Sequence, residues 1–481
     1  MIYWGYLASL GYLAVIIAFF EIIGRKFKIN VEITRKILHI LIGFTWVIMD
    51  VFWGISYHQI IMCALFVVIN ALSLKFKIFS SIERSSEKNH FGTVYYALAM
   101  LALAVASFIY PPLYMPFGMA VMCLSFGDGF APLASKLFKK HNIELTNSKT
   151  LAGTIACIVF SFLALLVFNV CYKLEYSILS LVAISFSVGV VELLVGRGLD
   201  NFGITFSVAL IALFVKLGVL SDTFLILFLS SSAYVLLIVL SKSLTAPASL
   251  LAYVMLIIAS LSAEISGFLM FVIPFTLIAI VSLVRRFVLK SRGEKSEKHQ
   301  RNFLQVLLNG GIATLFLLLF KIFDKDYFFI LACVSLAEAF ADSLASDVGS
   351  LSKRPPFDIF KRKTVTPDIS GGISLLGTFS ALFGALVLGF ISFVHGVDWI
   401  AFAFISAFGF VGTFVDSFFG STVQALYRCE VCGKETDKSV HCGEKATLVK
   451  GAAFVTNNFV NLVSNALTVS VSAMILIFVL S

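Results

Sequence analysis

The sequence predicts an all-α polytopic membrane protein with about sixteen transmembrane helices in two bundles. Hydrophobic residues make up 59% of the 481 residues and charged residues only 13%, with a mean hydropathy of +0.99. This composition excludes a soluble globular chain. Apolar runs of roughly 18–22 residues recur along the chain, and each is long enough to cross a hydrocarbon layer of about 30 Å. The first run, followed by GRKFK, is expected to stay as a membrane span.

The positions of the basic residues predict the orientation of the chain. Of the 36 Lys and Arg residues, 32 fall in loops that alternate threading of the spans places on one face. The positive-inside rule makes this face cytoplasmic, which puts the N-terminus outside. Basic loops at this face suit either an anionic membrane surface or a phosphorylated substrate or nucleotide. The net charge of +9 therefore does not call for a nucleic-acid partner.

In residues 1–220, the predicted first domain, polar residues gather at cytoplasmic span ends. Asp128 interrupts an apolar run, where a carboxylate is costly and usually marks a site. It precedes the NSKTLAGT loop. A carboxylate can hold Mg²⁺, and a lysine with backbone N–H groups can bind a triphosphate. We therefore predict that Asp128 is a Mg²⁺ ligand, and that Asp128 and Lys149 are catalytic.

Three further patches accompany this one: TRKILHI, the GTVYY stretch and VELLVGRGLDN. Simpler explanations exist for each, namely a hydrogen-bonded helix histidine, basic membrane anchors, close helix packing and a solvated span end. The candidate substrate- or nucleotide-binding residues of this half are Arg35, Lys36, His39, Gly92, Thr93, Gly127, Gly129, Thr150, Gly153, Glu192, Asp200 and Asn201.

The motifs of the first half carry a resemblance to known enzymes. FGDGFAPLASKLFKKHN…NSKTLAGT resembles the motif shared by phytol kinases, dolichol kinases and phosphatidate cytidylyltransferases, which are membrane enzymes that use CTP. RKILHI, GTVYY and VE…GRGLDN are more similar to the phytol and dolichol kinase branch. The resemblance implies CTP-dependent phosphorylation of a prenol by residues 30–210.

In residues 221–481, the predicted second domain, acidic residues again lie near cytoplasmic span ends. Glu338 and Asp342 are four residues apart on one helix face, and Asp347 and Asp416 lie near two further span ends. Such acids repel one another unless a cation or buried bases compensate them. We therefore predict that Asp342, Asp347 and Asp416 are catalytic, with Asp342 and Asp416 as Mg²⁺ ligands.

Polar stripes and glycine pairs surround these acids. Glycines let a backbone approach a phosphate, and the start of a helix favours an anion. Tight helix packing is the alternative for Gly412 and Gly420, and hydrogen bonding between helices is the alternative for the asparagines. The candidate binding residues of this half are Arg301, Gln305, Asn309, Lys363, Gly371, Gly372, Asn458 and Asn461.

The second half resembles the family that includes phytyl-phosphate kinase and the transmembrane protein 19 group. The resemblance rests on KSLTA, QRNFLQVLLNGG, ADSLASDVG, TVTPDISGGISLLG, VDSFFGSTVQALYRCEVCG and NNFVNLVS, which occur in this order from about residue 235. It implies phosphorylation of a prenyl monophosphate.

A cytoplasmic loop carries a possible zinc site. CEVCGKETDKSVHC contains Cys429, Cys432, His441 and Cys442, four soft ligands that suit tetrahedral Zn²⁺. Adjacent His441 and Cys442 are awkward for a single ion, so reduced free thiols and a redox pair are the alternatives. A disulfide is not expected at a reducing cytoplasmic face.

Together the two resemblances imply a bifunctional fusion. An isoprenoid alcohol such as phytol or geranylgeraniol would become its monophosphate and then its diphosphate within the bilayer, with CTP or another nucleoside triphosphate as donor and Mg²⁺ as cofactor. One alternative is a CTP-dependent lipid-phosphate cytidylyltransferase. Another is a secondary transporter, which would place its polar residues near the bilayer midplane. The polar residues here gather at cytoplasmic span ends, which favours an enzyme.

Overall fold

The chain forms two compact units in its structure, a computed structural model. Unit 1 is Met1–Lys242 and unit 2 is Ser243–Ser481. The division falls one helix later than the predicted boundary at residue 220, because the helix Asp222–Ser241 packs against the helix Ile178–Leu194. The residues that the structure describes are 2–27, 29–76, 92–139, 142–146, 149–196, 198–293, 300–365 and 369–480.

Unit 1 is a helical bundle. Its core is built on large side chains that are fully buried, among them Trp46, Phe117 and Leu165. Side-chain caps fix several helix starts, because an Asn, Ser or Thr oxygen accepts a hydrogen bond from a free backbone N–H. Its helices in the described part of the chain are α1 Ile2–Phe27, α2 Val31–Trp53, α3 Tyr57–Phe76, α4 Gly92–Ile109, α5 Tyr114–Met122, α6 Gly129–Leu137, α7 Leu151–Cys171, α8 Ile178–Leu194, α9 Asp200–Lys216 and α10 Asp222–Ser241.

A single π-helical turn, Cys123–Asp128, joins α5 to α6. Such turns are rare and occur often at functional sites. Glycine makes the turn fit between its neighbours: a Cβ on Gly127 would collide with Ser161 of α7, and a Cβ on Gly129 would collide with Ile40 of α2. The turn is therefore clamped between α2 and α7, and it ends at Asp128.

Unit 2 is a second bundle, organised around a central helix. This helix, α13, packs against α11, α12, α14, α15 and α16. Small residues allow the close contacts, since a Cβ on Gly409 would collide with Ala337 and a Cβ on Gly384 would lie 3.0 Å from the Cα of Ala341. The helices of unit 2 are α11 Ala246–Ser291, α12 Phe303–Phe323, α13 Asp326–Gly349, α14 Leu375–Ser392, α15 Trp399–Thr422 and α16 Asn457–Leu480.

The longest helix, α11, is two helices joined by a sharp turn. It contains 46 residues, about 69 Å of helix, which is more than twice the hydrocarbon thickness. The turn lies at Ala263 and Glu264, where Glu264 has φ 48°. The exposed Glu264 and the buried Ser266, which contacts His395 at 3.2 Å, place this turn at the end of unit 2 opposite the candidate acids.

Short antiparallel strands lie in the loops at the other end of unit 2. Strands β1 and β2 form a hairpin between α13 and α14, and the remaining strands lie between α15 and α16 in a three-stranded sheet (β4-β3-β7) and a second hairpin (β5-β6). We call residues 423–456 the hairpin segment. The strands are β1 Phe357–Asp358, β2 Lys363–Thr364, β3 Leu426–Arg428, β4 Glu435–Thr436, β5 Val440–His441, β6 Glu444–Lys445 and β7 Thr447–Lys450.

The structure confirms the predicted fold class. In the described residues, 13 helices are long and apolar enough to cross a membrane. One of these is α11, which is long enough for two spans, while α8 and α9 are shorter, with 17 residues each. Large apolar side chains such as Phe19, Val159 and Leu283 are exposed on the helices, as expected of surfaces that face lipid. The protein is a multi-pass integral membrane protein.

Candidate functional site

Asp128 lies in a buried ion pair in unit 1. Lys36 Nζ is 2.6 Å from Asp128 Oδ2 and also donates a hydrogen bond to the Asp128 backbone carbonyl at 3.0 Å. Both residues are 5% exposed. His39 Nε2 lies 3.4 Å from the same carboxylate oxygen and donates to the Leu124 carbonyl at 3.2 Å. Lys36 therefore points into the unit, as a binding residue would, and neutralises the one carboxylate that interrupts this span.

A second ion-pair group lies beside the first. Lys149 Nζ is 2.5 Å from Glu192 Oε1 and 3.4 Å from Asp200 Oδ2. Burial alone would lower the pKa of Lys149, but Glu192, Asp128 and Asp200 together raise it above its usual range. Lys149 is therefore a permanent cation. The other Glu192 oxygen, Oε2, is buried and has no hydrogen-bond partner among the described residues.

The remaining predicted residues of unit 1 hold these helix ends together. Thr150 caps α7 by accepting from the Gly153 N–H, and its hydroxyl bonds to Ser135 at 2.7 Å. Asn201 Nδ2 donates to the Gly92 carbonyl at 2.7 Å, which ties α9 to the start of α4.

Arg35 and Thr93, two further candidate binding residues of unit 1, make local contacts or lie at a helix start. Arg35 Nη2 donates to Glu32 Oε1 at 2.6 Å, while Thr93 follows Gly92 in the first turn of α4. The charged stretch at 83–90 and Arg197 lie outside the described residues.

In unit 2, three carboxylates converge between α13, α15 and α16. Ser464 Oγ lies within hydrogen-bond distance of both Glu338 Oε1, at 3.0 Å, and Asp416 Oδ2, at 3.1 Å. Asn465 Nδ2 bonds to Glu338 at 2.5 Å, and the carboxylates of Asp342 and Asp416 repel each other. No Lys, Arg or His within the described ranges lies within 4.0 Å of these acids. The group, which we call the acid triad (Glu338, Asp342 and Asp416), thus has no basic side chain paired with it in the described part of the chain.

Asp347 lies apart from the acid triad, although we predicted it beside Asp342 and Asp416. Its Oδ2 accepts from Ser282 at 2.6 Å, and its Oδ1 lies 3.7 Å from Arg285. Five residues separate Asp342 from Asp347, which turns their side chains about 140° apart around the helix axis. Asp347 therefore faces α11, and Glu338, four residues before Asp342, completes the triad instead.

Of the candidate binding residues at the start of α12, Arg301 and Gln305 make contacts that stabilise the fold. Gln305 and Asn302 form a capping box, in which each side chain accepts from the other's backbone N–H at 3.0 Å. The Arg301 backbone pairs with the segment around Leu244, and burial lowers the pKa of its guanidinium while Asp347 opposes this. Asn309 is half-buried one turn further along α12.

The asparagines of α16 serve two purposes. Asn465 bonds to Ser335 and Glu338, so it links α16 to α13 as interhelical hydrogen bonding predicts. Asn461 Oδ1 is buried and has no hydrogen-bond partner among the described residues, and Asn458 is half-buried in the first turn. A Cβ on Gly412 would collide with Glu338, which confirms close packing at this glycine.

A lysine cluster, of which only Lys363 was predicted from the sequence, lies among the loops of unit 2. Asp358 is 1% exposed; its Oδ2 accepts from Ser421 at 2.6 Å and lies 3.3 Å from Lys361 Nζ. Lys450 Nζ donates to the Ser421 carbonyl. Burial and the neighbouring Lys361 and Lys363 lower the pKa of Lys450 to about 8. We call Lys361, Lys363 and Lys450 the lysine cluster, which is suited to bind an anion such as phosphate.

The predicted glycine loop lies against this cluster. Gly371 has φ +87°, and a Cβ there would press into the Ser421 backbone. A Cβ on Gly420 would lie 3.1 Å from the Gly371 nitrogen. Glycine at these positions therefore allows the two segments of backbone to lie in contact. Ser370 donates its N–H and hydroxyl to Asp437 of the hairpin segment. Gly372 packs on Val365 and Pro356, while residues 366–368 lie outside the described residues.

The cysteine loop forms a compact cluster. The ligand atoms of Cys429, Cys432, His441 and Cys442 all lie within 4.8 Å of one another. In the part of the chain that the structure describes, this is the only group of three or more His, Cys, Asp or Glu side chains so placed. The acids of the two units could therefore hold Mg²⁺ only with help from a ligand, which is usual because Mg²⁺ takes one or two carboxylates plus substrate phosphates and water.

A comparison with known protein families identifies the family to which the chain belongs. The family model for "Integral membrane protein DUF92" matches residues 229–469, which is half of the chain. The chain belongs to this family. The match lies almost wholly in unit 2.

Curated relatives match the chain over part of its length, and no solved structure matches it. Phytol kinase of Synechocystis sp. is 28% identical over 207 residues, covering 42% of this chain and 87% of the relative. Protein PGR of Arabidopsis thaliana is 26% identical over 249 residues (43% and 85%). Phytol kinase 1, chloroplastic, of the same plant is 28% identical over 166 residues (32% and 54%). The predicted relationship to phytol kinases is confirmed, whereas the fusion of two kinase halves stays a prediction.

Proposed function

We propose that the protein phosphorylates a long-chain isoprenoid alcohol twice, first to the monophosphate in unit 1 and then to the diphosphate in unit 2, with CTP as the phosphate donor. The observation that carries this proposal is that each unit holds its own group of buried carboxylates and its own lysines: in unit 1 the lysines pair with those carboxylates, and in unit 2 a separate lysine cluster lies beside Asp358. The similarity to phytol kinases supports the first step. Residues 1–220 and 221–481, extended to the unit boundary at Lys242, are proposed as the two catalytic domains.

In unit 1, the residues are arranged for transfer of a phosphoryl group to a hydroxyl. Lys149 would bind the triphosphate, and Asp128 with Glu192 Oε2 would hold Mg²⁺, which supplies charge neutralisation on the phosphates when bound. The alcohol oxygen attacks the γ-phosphorus, the bond to the β-phosphate oxygen breaks, and CDP leaves. His39 donates through Nε2 to Leu124, so its neutral ring has a lone pair on Nδ1 that can take the hydroxyl proton.

In unit 2, the acceptor already carries a phosphate, so more positive charge is needed. The lysine cluster and the Gly371 loop would bind the acceptor phosphate. The acid triad would hold Mg²⁺ against the donor triphosphate, with Asn461 Oδ1 as a further oxygen ligand. An acceptor phosphate oxygen then attacks the γ-phosphorus of the donor, and CDP leaves again.

Both sites are proposed to face the cytoplasm, with the N-terminus outside. The basic loops support this orientation by the positive-inside rule. An isoprenoid tail would remain among the spans, where apolar burial is favourable, while its head group meets the soluble nucleotide at the interface.

The test uses purified protein in lipid nanodiscs with geranylgeraniol or phytol, Mg²⁺, and CTP labelled on either the α- or the γ-phosphate. We expect γ-label in a lipid monophosphate first and in a diphosphate later, with CDP as by-product. Transfer of α-label to lipid with release of pyrophosphate would instead identify a cytidylyltransferase. Absence of any labelled lipid, in protein that still binds CTP, would refute the kinase proposal.

A further inference from the structure

The cysteine cluster of the hairpin segment has the dimensions of a tetrahedral metal site. Cys432 Sγ and Cys442 Sγ lie 3.5 Å and 3.2 Å from His441 Nδ1. Zn–S bonds of about 2.3 Å and Zn–N bonds of about 2.0 Å predict ligand separations of roughly 3.5–3.8 Å in a tetrahedron. The observed separations are therefore close to those of a zinc site, and all eight cysteines of the chain are free thiols.

The backbone explains how adjacent His441 and Cys442 can serve one ion. Successive side chains of a strand point to opposite sides. Cys442, however, has a left-handed backbone with φ 53°, and Gly443 follows with φ 84°. This turn between β5 and β6 brings the Cys442 thiol back to the side of His441. A non-glycine residue in this conformation is uncommon and costs free energy, so a compensating interaction is expected.

The other two ligands come from a second tight turn. Cys429 follows β3, its carbonyl accepts from the Gly433 N–H at 2.8 Å, and Gly433 has φ +71°. The turn between β3 and β4 thus presents Cys429 and Cys432, and the turn between β5 and β6 presents His441 and Cys442. Apart from these ligands, the hairpin segment has little apolar core of its own: its buried apolar side chains in the described residues are Ala425, Tyr427 and Val455.

We propose that Cys429, Cys432, His441 and Cys442 bind one structural Zn²⁺ that holds the two turns of the hairpin segment together. The segment in turn carries Asp437, which bonds to Ser370 beside Gly371, and Lys450, on the strand that pairs with β3. Zinc would therefore keep Asp437 and Lys450 in place at the glycine loop. This last consequence rests on the proposed function, whereas the zinc site does not.

The test measures metal in the full-length protein, purified without chelators and dialysed against metal-free buffer. We expect about one equivalent of zinc, because a closed four-ligand site holds its ion tightly. Cys432→Ser and His441→Ala should each reduce the bound zinc severalfold. His441→Cys, which keeps four soft ligands, should retain it. Cys171→Ser, which alters an exposed thiol of unit 1, is the matched control and should change nothing.

Two readouts do not depend on enzymatic turnover. Cobalt added to the zinc-free protein should give the thiolate-to-metal absorption of a tetrahedral site, and this absorption should be absent in Cys432→Ser. Removing zinc should also make proteolysis within residues 428–450 about tenfold faster, since the segment loses its cross-link. Purified protein without zinc or cobalt binding, whether its thiols are freely alkylated or joined as a disulfide, would overturn the proposal. Zinc binding without any phosphorylation would refute only the proposed function.

Discussion

The lowered pKa of Lys450 predicts that the proposed second phosphorylation step is sensitive to alkaline pH. Only the charged lysine attracts a phosphate, and burial together with Lys361 and Lys363 lowers its pKa to about 8. The charged fraction in the free enzyme therefore falls as pH rises through this value. It is about 90% at pH 7 and about 10% at pH 9. A prenyl monophosphate has its second pKa near 6 and stays mostly dianionic over this range, so the substrate does not mask the change.

We expect kcat/KM for conversion of added monophosphate to diphosphate to fall about ninefold between pH 7 and pH 9, because this ratio reports ionisation of the free enzyme. Lys450→Arg should flatten the decline, since arginine stays charged. Lys445→Arg, an exposed lysine of the same segment, should leave it unchanged. Formation of the monophosphate should not share the decline, because the pKa of Lys149 is raised. Identical profiles for the wild-type protein and Lys450→Arg would refute the role of Lys450.

Three further predictions concern the buried charges. Asp128→Asn should slow monophosphate formation on the order of 100-fold but leave the conversion of added monophosphate to diphosphate intact. The control Asp50→Asn, which changes a carboxylate of the same helix bundle that is bonded to two tyrosines, should slow neither step. Asp416→Asn should instead let monophosphate accumulate, whereas Asp398→Asn, at a cap that asparagine also suits, should not. If either active-site variant lost both steps while folded, the two-site model would be wrong. Lys36→Met should lower unfolding free energy by about 3 kcal/mol, and adding Asp128→Asn should recover part of it; an unchanged thermal midpoint would contradict a buried pair.

The fold was predictable because lipid imposes a simple rule. Every backbone polar group in hydrocarbon must be paired, which leaves helices for a chain with this hydropathy. The boundary between the units was harder to predict. The loop at Ser221 is as short as several other loops between helices, and only packing shows that α10 stays with α8.

The candidate sites were predictable where a charged side chain stands inside an apolar run. Asp128 is such a case, but its partner Lys36 is 92 residues away, and no local pattern links the two. Grouping Asp347 with Asp342 failed for a different reason: both lie near one helix end, but the helical period turns them to different faces. Glu338, at the correct spacing, was the better candidate.

The lysine cluster could not be found from sequence because tertiary contacts create it. Lys361 and Lys450 belong to loops on opposite sides of α14 and α15 in the chain, and in the sequence they look like ordinary basic loop residues. What brings them together is Ser421, which bonds to Asp358 through its hydroxyl and to Lys450 through its carbonyl. The glycines at 371 and 420 were visible as a motif, but their contact with each other was not.

The two units differ in how they compensate buried acids, and this difference predicts different responses to Mg²⁺. In unit 1, Lys36 and Lys149 already neutralise the carboxylates, so a metal must compete with a lysine for Asp128. In unit 2, the acid triad has no cation in the described residues, and Mg²⁺ would relieve its repulsion. Half-maximal activity of the second step should therefore need less Mg²⁺ than the first. A Mg²⁺ titration in which the first step saturates at the lower Mg²⁺ concentration would show that Lys36 and Lys149 do not weaken Mg²⁺ binding to the carboxylates of unit 1.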